Sequence, residues 1–157
     1  MEVGGAVTVG ETLALLEQWQ PRLLAGQRGL GRRVTWAGTM RARLPAFEGF
    51  TGGELALLSL AALRVLRSQV ETLSLAGLID ELAGLGAAAI AIADPDEGRG
   101  ARPGEDSARA AAIQRAEQHG IPLLELPAAT PLPQIERAVI RYCLLYTSPS
   151  PRDRQKS

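Results

Sequence analysis

Few residues in this chain can do chemistry, and their spacing narrows what that chemistry can be. His119 is its only histidine. A single imidazole cannot build a metal cluster where cysteines are missing from the domain. Its position just before Gly120 suits a helix C-terminus, where a cationic ring interacts well with the helix macrodipole; the competing role is catalytic. Ser59, Ser68, Ser74 and Ser107 lack the G-x-S-x-G setting of a nucleophile elbow, and any Ser/His/Asp triad would have to use His119. No catalytic residue, metal site or cofactor is therefore assigned. Gly26, Gly29 and Gly31 have neither dinucleotide-binding spacing nor a following Gly-Lys-Ser/Thr. A strand rather than a helix is expected after them, so they read as a turn between two strands, not a phosphate cradle.

Three residues remain as ligand-binding candidates. Asp94, followed by Asp96, falls just past a strand that reads as central, where open α/β sheets bind ligands. Carboxylates there can hold a metal or act as a base, whereas Asp-Pro-Asp also makes a turn that caps local N–H groups. Trp36 lies in a strand, as a core or pocket-wall residue whose indole N–H needs a partner. Glu54, after Gly52-Gly53, is either a solvated charge at a strand start or part of a pocket.

The elements that must position these residues alternate. Thr8 and Glu11 have capping-box spacing, predicting a helix over about 10–18. Strands are predicted over 22–25, 34–37, 54–60, 87–93 and 122–126. The stretch 26–31 supplies a tight reversal, and 40–53 a long loop. Leu75, Leu78, Ile79 and Leu82 form one apolar stripe in a helix predicted over 70–85. The run Ala87 to Ala93 is apolar on both faces, as in the middle of a parallel sheet. A polar loop over 94–104, a helix over 107–118 and a last helix opened by Thr130-Pro131, with Ile135, Val139 and Ile140 inward, complete the order. This is a single α/β domain with a mostly parallel sheet flanked by helices, and a ligand crevice is expected beyond Leu60 and Ala93.

Cys143-Leu144-Leu145-Tyr146-Thr147-Ser148-Pro149-Ser150-Pro151-Arg152-Asp153 looks like the translation of a sequencing adapter; the alternative is a natural Ser/Pro-rich tail. The expected organisation is a flexible lead-in over 1–6, a domain over 7–142, and a disordered, non-native tail over 143–157. The whole chain has 17 basic and 17 acidic residues; without Arg152, Arg154, Lys156 and Asp153 the remainder has 14 and 16, a formal −2. That balance lacks the footprint of a nucleic-acid binder. No apolar run is long enough to span a membrane and no signal peptide opens the chain, so the expected location is cytoplasmic.

Leu23-Leu24-Ala25-Gly26, then Gly29-Leu30-Gly31-Arg32-Arg33-Val34-Thr35-Trp36, then Gly52-Gly53-Glu54-Leu55-Ala56-Leu57-Leu58 together resemble the N-terminal domain of PucR-type transcriptional regulators. The resemblance covers about residues 7–142. It implies an effector-sensing module of a bacterial regulator of purine or related nitrogen catabolism, placed ahead of a DNA-reading helix-turn-helix. It implies as partners a small-molecule effector, the regulator's C-terminal domains and a second copy of the chain, and it gives Trp36 and Glu54 a role in a pocket or interdomain surface. The Gly29-Leu30-x-Arg32 turn with Val34 and Trp36 is also similar to the N-terminal domain of HPr kinase/phosphorylase, which implies the same architecture and no kinase activity. Many relatives carry a His and then a Glu just beyond the Trp; here Gly38, Thr39, Met40 and Arg41 follow, implying a different effector or binding mode. The reading from another class is a small free-standing α/β enzyme or enzyme subunit.

Overall fold

A computed structural model describes residues 7–94 and 104–147. The lead-in 1–6, the loop 95–103 with Asp96, and residues 148–157 lie outside the described residues. Five strands, β1 (Arg22–Ala25), β2 (Trp36–Thr39), β3 (Glu54–Ser59), β4 (Ala89–Ala93) and β5 (Leu123–Glu125), form one sheet in the order β1-β5-β4-β3-β2. All neighbours are parallel except β1, which runs antiparallel to β5. The helices are α1 (Val9–Leu15), α2 (Leu60–Arg67), α3 (Leu75–Gly84), α4 (Glu105–His119) and α5 (Leu132–Thr147).

Strand pleating divides the core in two, because alternate residues face opposite sides of the sheet. Ala56, Leu58, Ile90, Ile92 and Leu123 face one side with Leu63 and Leu66 of α2, Leu78, Ile79 and Leu82 of α3, and Ala112 and Ala116 of α4. Leu55, Leu57, Ala89, Ala91 and Leu124 face the other, with Val9 of α1 and Ile135, Val139 and Cys143 of α5. β3 and β4 are buried at nearly every position, as their unbroken apolar runs require.

Several expected boundaries move, each for a local reason. The capping box forms, with Thr8 Oγ1 accepting from Glu11 N at 3.1 Å and Glu11 Oε1 accepting from Thr8 N at 3.0 Å, but α1 stops at Leu15 and a 3₁₀ turn follows over Glu17–Trp19. The strand expected to reach residue 60 ends at Ser59, whose hydroxyl accepts from Ala62 N and starts α2. That helix is absent from the sequence reading. α3 begins at Leu75 rather than at residue 70 because the Ser74 hydroxyl accepts from Gly77 N. β2 begins at Trp36, since Val34 N donates to Val7 O and so pairs with the chain's first described residues.

Two corrections are larger. The segment 26–31 is not a tight reversal between paired strands: β1 and β2 lie at opposite edges of the sheet. It runs through a 3₁₀ turn at Gln27–Gly29, and its glycines allow close backbone contact with the turn before β5. A Cβ on Gly26 would collide with the Ile121 carbonyl, and Gly26 has φ +76°. The fold also does not stop at Tyr142. α5 continues to Thr147 and Cys143 is buried, because Cys143 falls on the same inner stripe as Ile135 and Val139. The exposed Leu144, Leu145 and Tyr146 of the last turn lie off that stripe.

Candidate functional site

Glu54 opens β3 and is buried, at 4% exposure. Its Oε2 accepts from Thr51 N at 2.7 Å and from the Thr51 hydroxyl at 3.4 Å, and its Oε1 accepts from Gly52 N at 2.9 Å. Both carboxylate oxygens thus fasten the turn that feeds β3, where Gly52 and Gly53 have φ +118° and +86°. This is a buried acceptor satisfied by local N–H groups, as a carboxylate in such a place must be. Trp36 opens β2 and is the register partner of Glu54. The residue is 44% exposed, so it is not a core residue.

Asp94 lies at the other end of the sheet. It follows β4, and its two oxygens accept from Arg64 Nη1 and Nη2 at 2.9 and 2.7 Å, a bidentate fork. Arg64, on α2, also donates from Nε to Glu105 at 3.0 Å and from Nη2 at 3.3 Å. Hydrogen bonding to Asp94 first, opposed by desolvation and aided by Glu105, holds the Arg64 guanidinium above its ordinary pKa. Ala88 N donates to Glu54 O, so Asp94 stands six residues along the strand direction from the level of Glu54. At about 3.3 Å per residue that is roughly 20 Å. Trp36 and Glu54 come together; Asp94 does not join them.

Among the described residues, the sheet lacks the topological switch point at which a ligand crevice is expected. Such crevices open where successive crossovers leave a parallel sheet on opposite faces. Here α2 and α3, which connect β3 to β4, and α4, which connects β4 to β5, pack on the same face. The parallel strands are added in one direction only. Their carboxyl ends carry polar ties instead: the Thr39 hydroxyl donates to Glu136 at 2.7 Å, and Glu125 binds Arg109 at 2.6 Å and Arg22 at 3.2 Å. A shallow groove of about 550 Å³ lies elsewhere, between α1 and β1, lined by Leu13, Ala14, Glu17, Gln20, Pro21 and Leu23.

The glycine-rich segment has a different job from ligand binding. Arg28 donates to the carbonyls of Glu117 and Gln118 at 3.0 and 3.1 Å, and Arg32 to that of Gly120 at 3.3 Å. Gly26 N in turn donates to the Glu117 carboxylate. These arginines satisfy the open carbonyls at the C-terminus of α4, where positive charge is favoured. His119, in the last turn of that helix, places Nε2 at 2.8 Å from Asp80 Oδ1 on α3. No group of three or more His, Cys, Asp or Glu among the described residues has metal-site geometry. Arg64 is the residue that sequence reasoning missed. Ser59 before a Leu60, Leu63, Leu66 stripe with Arg64 and Arg67 in its last turn was the available signal.

The polar residues described above serve capping and ion pairing, and Trp36 stands half-exposed at one sheet edge. The sequence profile of the purine catabolism regulatory protein-like (PucR) family matches residues 11–143, most of the chain, and the protein belongs to that family. The family is regulatory rather than enzymatic. No curated protein matches the chain. No helix among the described residues is long and apolar enough to cross a membrane.

Proposed function

We propose that the chain is the effector-sensing N-terminal domain of a cytoplasmic bacterial transcriptional regulator of purine or related nitrogen catabolism, with DNA read by a helix-turn-helix elsewhere in the full regulator. The family match over residues 11–143 carries this reading. The two ends of the sheet then take different roles. The effector belongs at the carboxyl end of β4, where Asp94 and Arg64 present paired charge at partial exposure. Trp36, the register partner of Glu54 at the start of β2, belongs to the surface that meets the regulator's other domains or a second copy. One small molecule does not bridge the roughly 20 Å between them.

The test is a thermal-shift screen with purine bases and their oxidised and ring-opened degradation products. A ligand that binds the folded state alone raises the midpoint by mass action. The expected result is a shift with at least one compound, lost in Asp94→Asn, and no change in Trp36 emission in a Trp19→Phe background. A screen without any shift removes effector sensing from this domain. The formal −2 charge without the tail also predicts no complex with duplex DNA in a low-salt gel-shift titration at micromolar protein, because counterion release has little to act on.

A further inference from the structure

The polar contacts around α4 form a system that neither effector sensing nor the family match accounts for. α1, α2 and α3 each start on a side-chain cap, Thr8, Ser59 and Ser74 respectively. α4 starts on Gly104, with φ +83° and no side-chain cap. Its first turn is held by Arg64, which reaches from α2 to Glu105. One turn on, Arg109 grips Glu125 of β5; further along, Arg115 and His119 both bind Asp80 of α3. The far end is closed by Arg28 and Arg32. Between these ties the helix buries only Ala112 and Ala116, with Ile113 partly covered.

Small side chains give smooth contact and little apolar burial, so a helix seated on alanines can shift without reordering large rotamers. Ion pairs at both ends and along its length then add to that thin apolar contact. We propose that α4 is a latched helix, docked through ion pairs over a small-residue contact, and that it releases as a unit when Arg64 is drawn away from Glu105. Arg64 is the keystone because the same guanidinium also holds Asp94 at the end of β4. A change in what Arg64 binds at the carboxyl end of the sheet is thereby passed to the start of α4. The latch is a property of the fold and stands whether or not this domain senses a small molecule.

Hydrogen exchange of the whole chain, read peptide by peptide, tests it. In Glu105→Gln, amides of α4 should exchange about two- to fivefold faster while those of α5 keep their rates. In the unsubstituted chain, raising salt from about 0.05 M to about 1 M, which shortens the screening length from over 10 Å to about 3 Å, should accelerate α4 relative to α5. The salt arm needs no substitution and so stays informative if the variant folds poorly. Exchange that is unchanged in α4 in both arms, or that rises equally in α4 and α5, overturns the proposal.

Discussion

α4 and α5 are 15 and 16 residues long and cover opposite faces of one sheet, yet different forces attach them. α5 buries Ile135 and Val139 completely, with Leu132 and Cys143 nearly so. Each large apolar side chain so buried contributes about 1.5–3 kcal/mol. α4 buries two alanine methyls, each worth about as much as one CH₂, or about 0.8 kcal/mol. Partly covered Ile113 and the apolar residues of α3 that α4 covers add to this, and the remaining ties are partly exposed ion pairs, for which about 0–1 kcal/mol each is usual. Evenly stable domains do not need such asymmetry. A domain that must change shape does, because elements that move are drawn from the low-stability end of the structure.

The largest expected effect comes from breaking the firm side. Ile135→Ala removes most of a fully buried side chain and should cost about 2–5 kcal/mol in denaturant unfolding. Ala116→Gly, at the equivalent depth under α4, should cost only about 1 kcal/mol, chiefly through helix propensity. Equal losses would show that α4 is packed as tightly as α5. Next in size is the clamp at the end of α4. Arg28→Ala removes two charge-assisted bonds to helix carbonyls and should cost about 1 kcal/mol. Its effect should appear as faster exchange in the last turn of α4, with α5 unmoved.

How far the sequence anticipated these two helices follows from the same contrast. Ile135, Val139 and Ile140 announced the inner side of α5, because apolar periodicity is visible in one dimension. The strands at 54–59 and 89–93 were legible for the same reason, through their continuous apolar runs. α4 was legible as a helix but not in its attachment. Arg64 with Glu105, Arg109 with Glu125 and Arg28 with the Glu117 carbonyl are separated by 41, 16 and 89 residues, and no local spacing encodes such pairs. Asp94 was correctly placed at the end of β4, but its engagement by Arg64 required α2, which was missed. Trp36 and Glu54 were marked separately, each for a pocket or interdomain surface; their pairing across β2 and β3 and the roughly 20 Å to Asp94 both depended on strand register and direction. The glycines at 26 and 29 read as a tight turn between two strands because their contact, the Gly120–Pro122 backbone, lies some ninety residues away.

Acid should loosen the α3–α4 contact in a defined window. Hydrogen bonding to His119 first, and to Arg115 as well, holds the Asp80 carboxyl below its ordinary value against desolvation. A carboxyl whose pKa is lowered in the folded state stabilises that state above the unfolded pKa, and the contribution is lost as pH falls through the folded value. The change therefore belongs below about pH 4. After correction for the intrinsic pH dependence of exchange, α4 amides near Arg115 should lose protection there, and Asp80→Asn should show the same loss already at neutral pH. Protection that is indifferent to both would leave the Asp80 contacts without an energetic role.

The smallest signal is a chemical one, and it reports on the firm side alone. Cys143 is the chain's only cysteine. It is buried on the inner face of α5, with Sγ 3.5 Å from the Val34 carbonyl, and burial pushes its thiol pKa up. The thiolate is the reactive form, so both its scarcity and its inaccessibility slow alkylation. Labelling at about pH 8 should therefore be far slower than for an exposed thiol, and should proceed through opening of α5. Removing residues 148–157, beyond the end of that helix, should leave the rate and the thermal midpoint nearly unchanged. Truncation before Cys143 should instead lower the midpoint, because it takes away the last buried position of the α5 stripe. Glu105→Gln should not alter labelling, since the latch acts on the other face of the sheet. If Glu105→Gln speeds labelling of Cys143 as much as it speeds exchange in α4, the two helices open together and the contrast between them disappears.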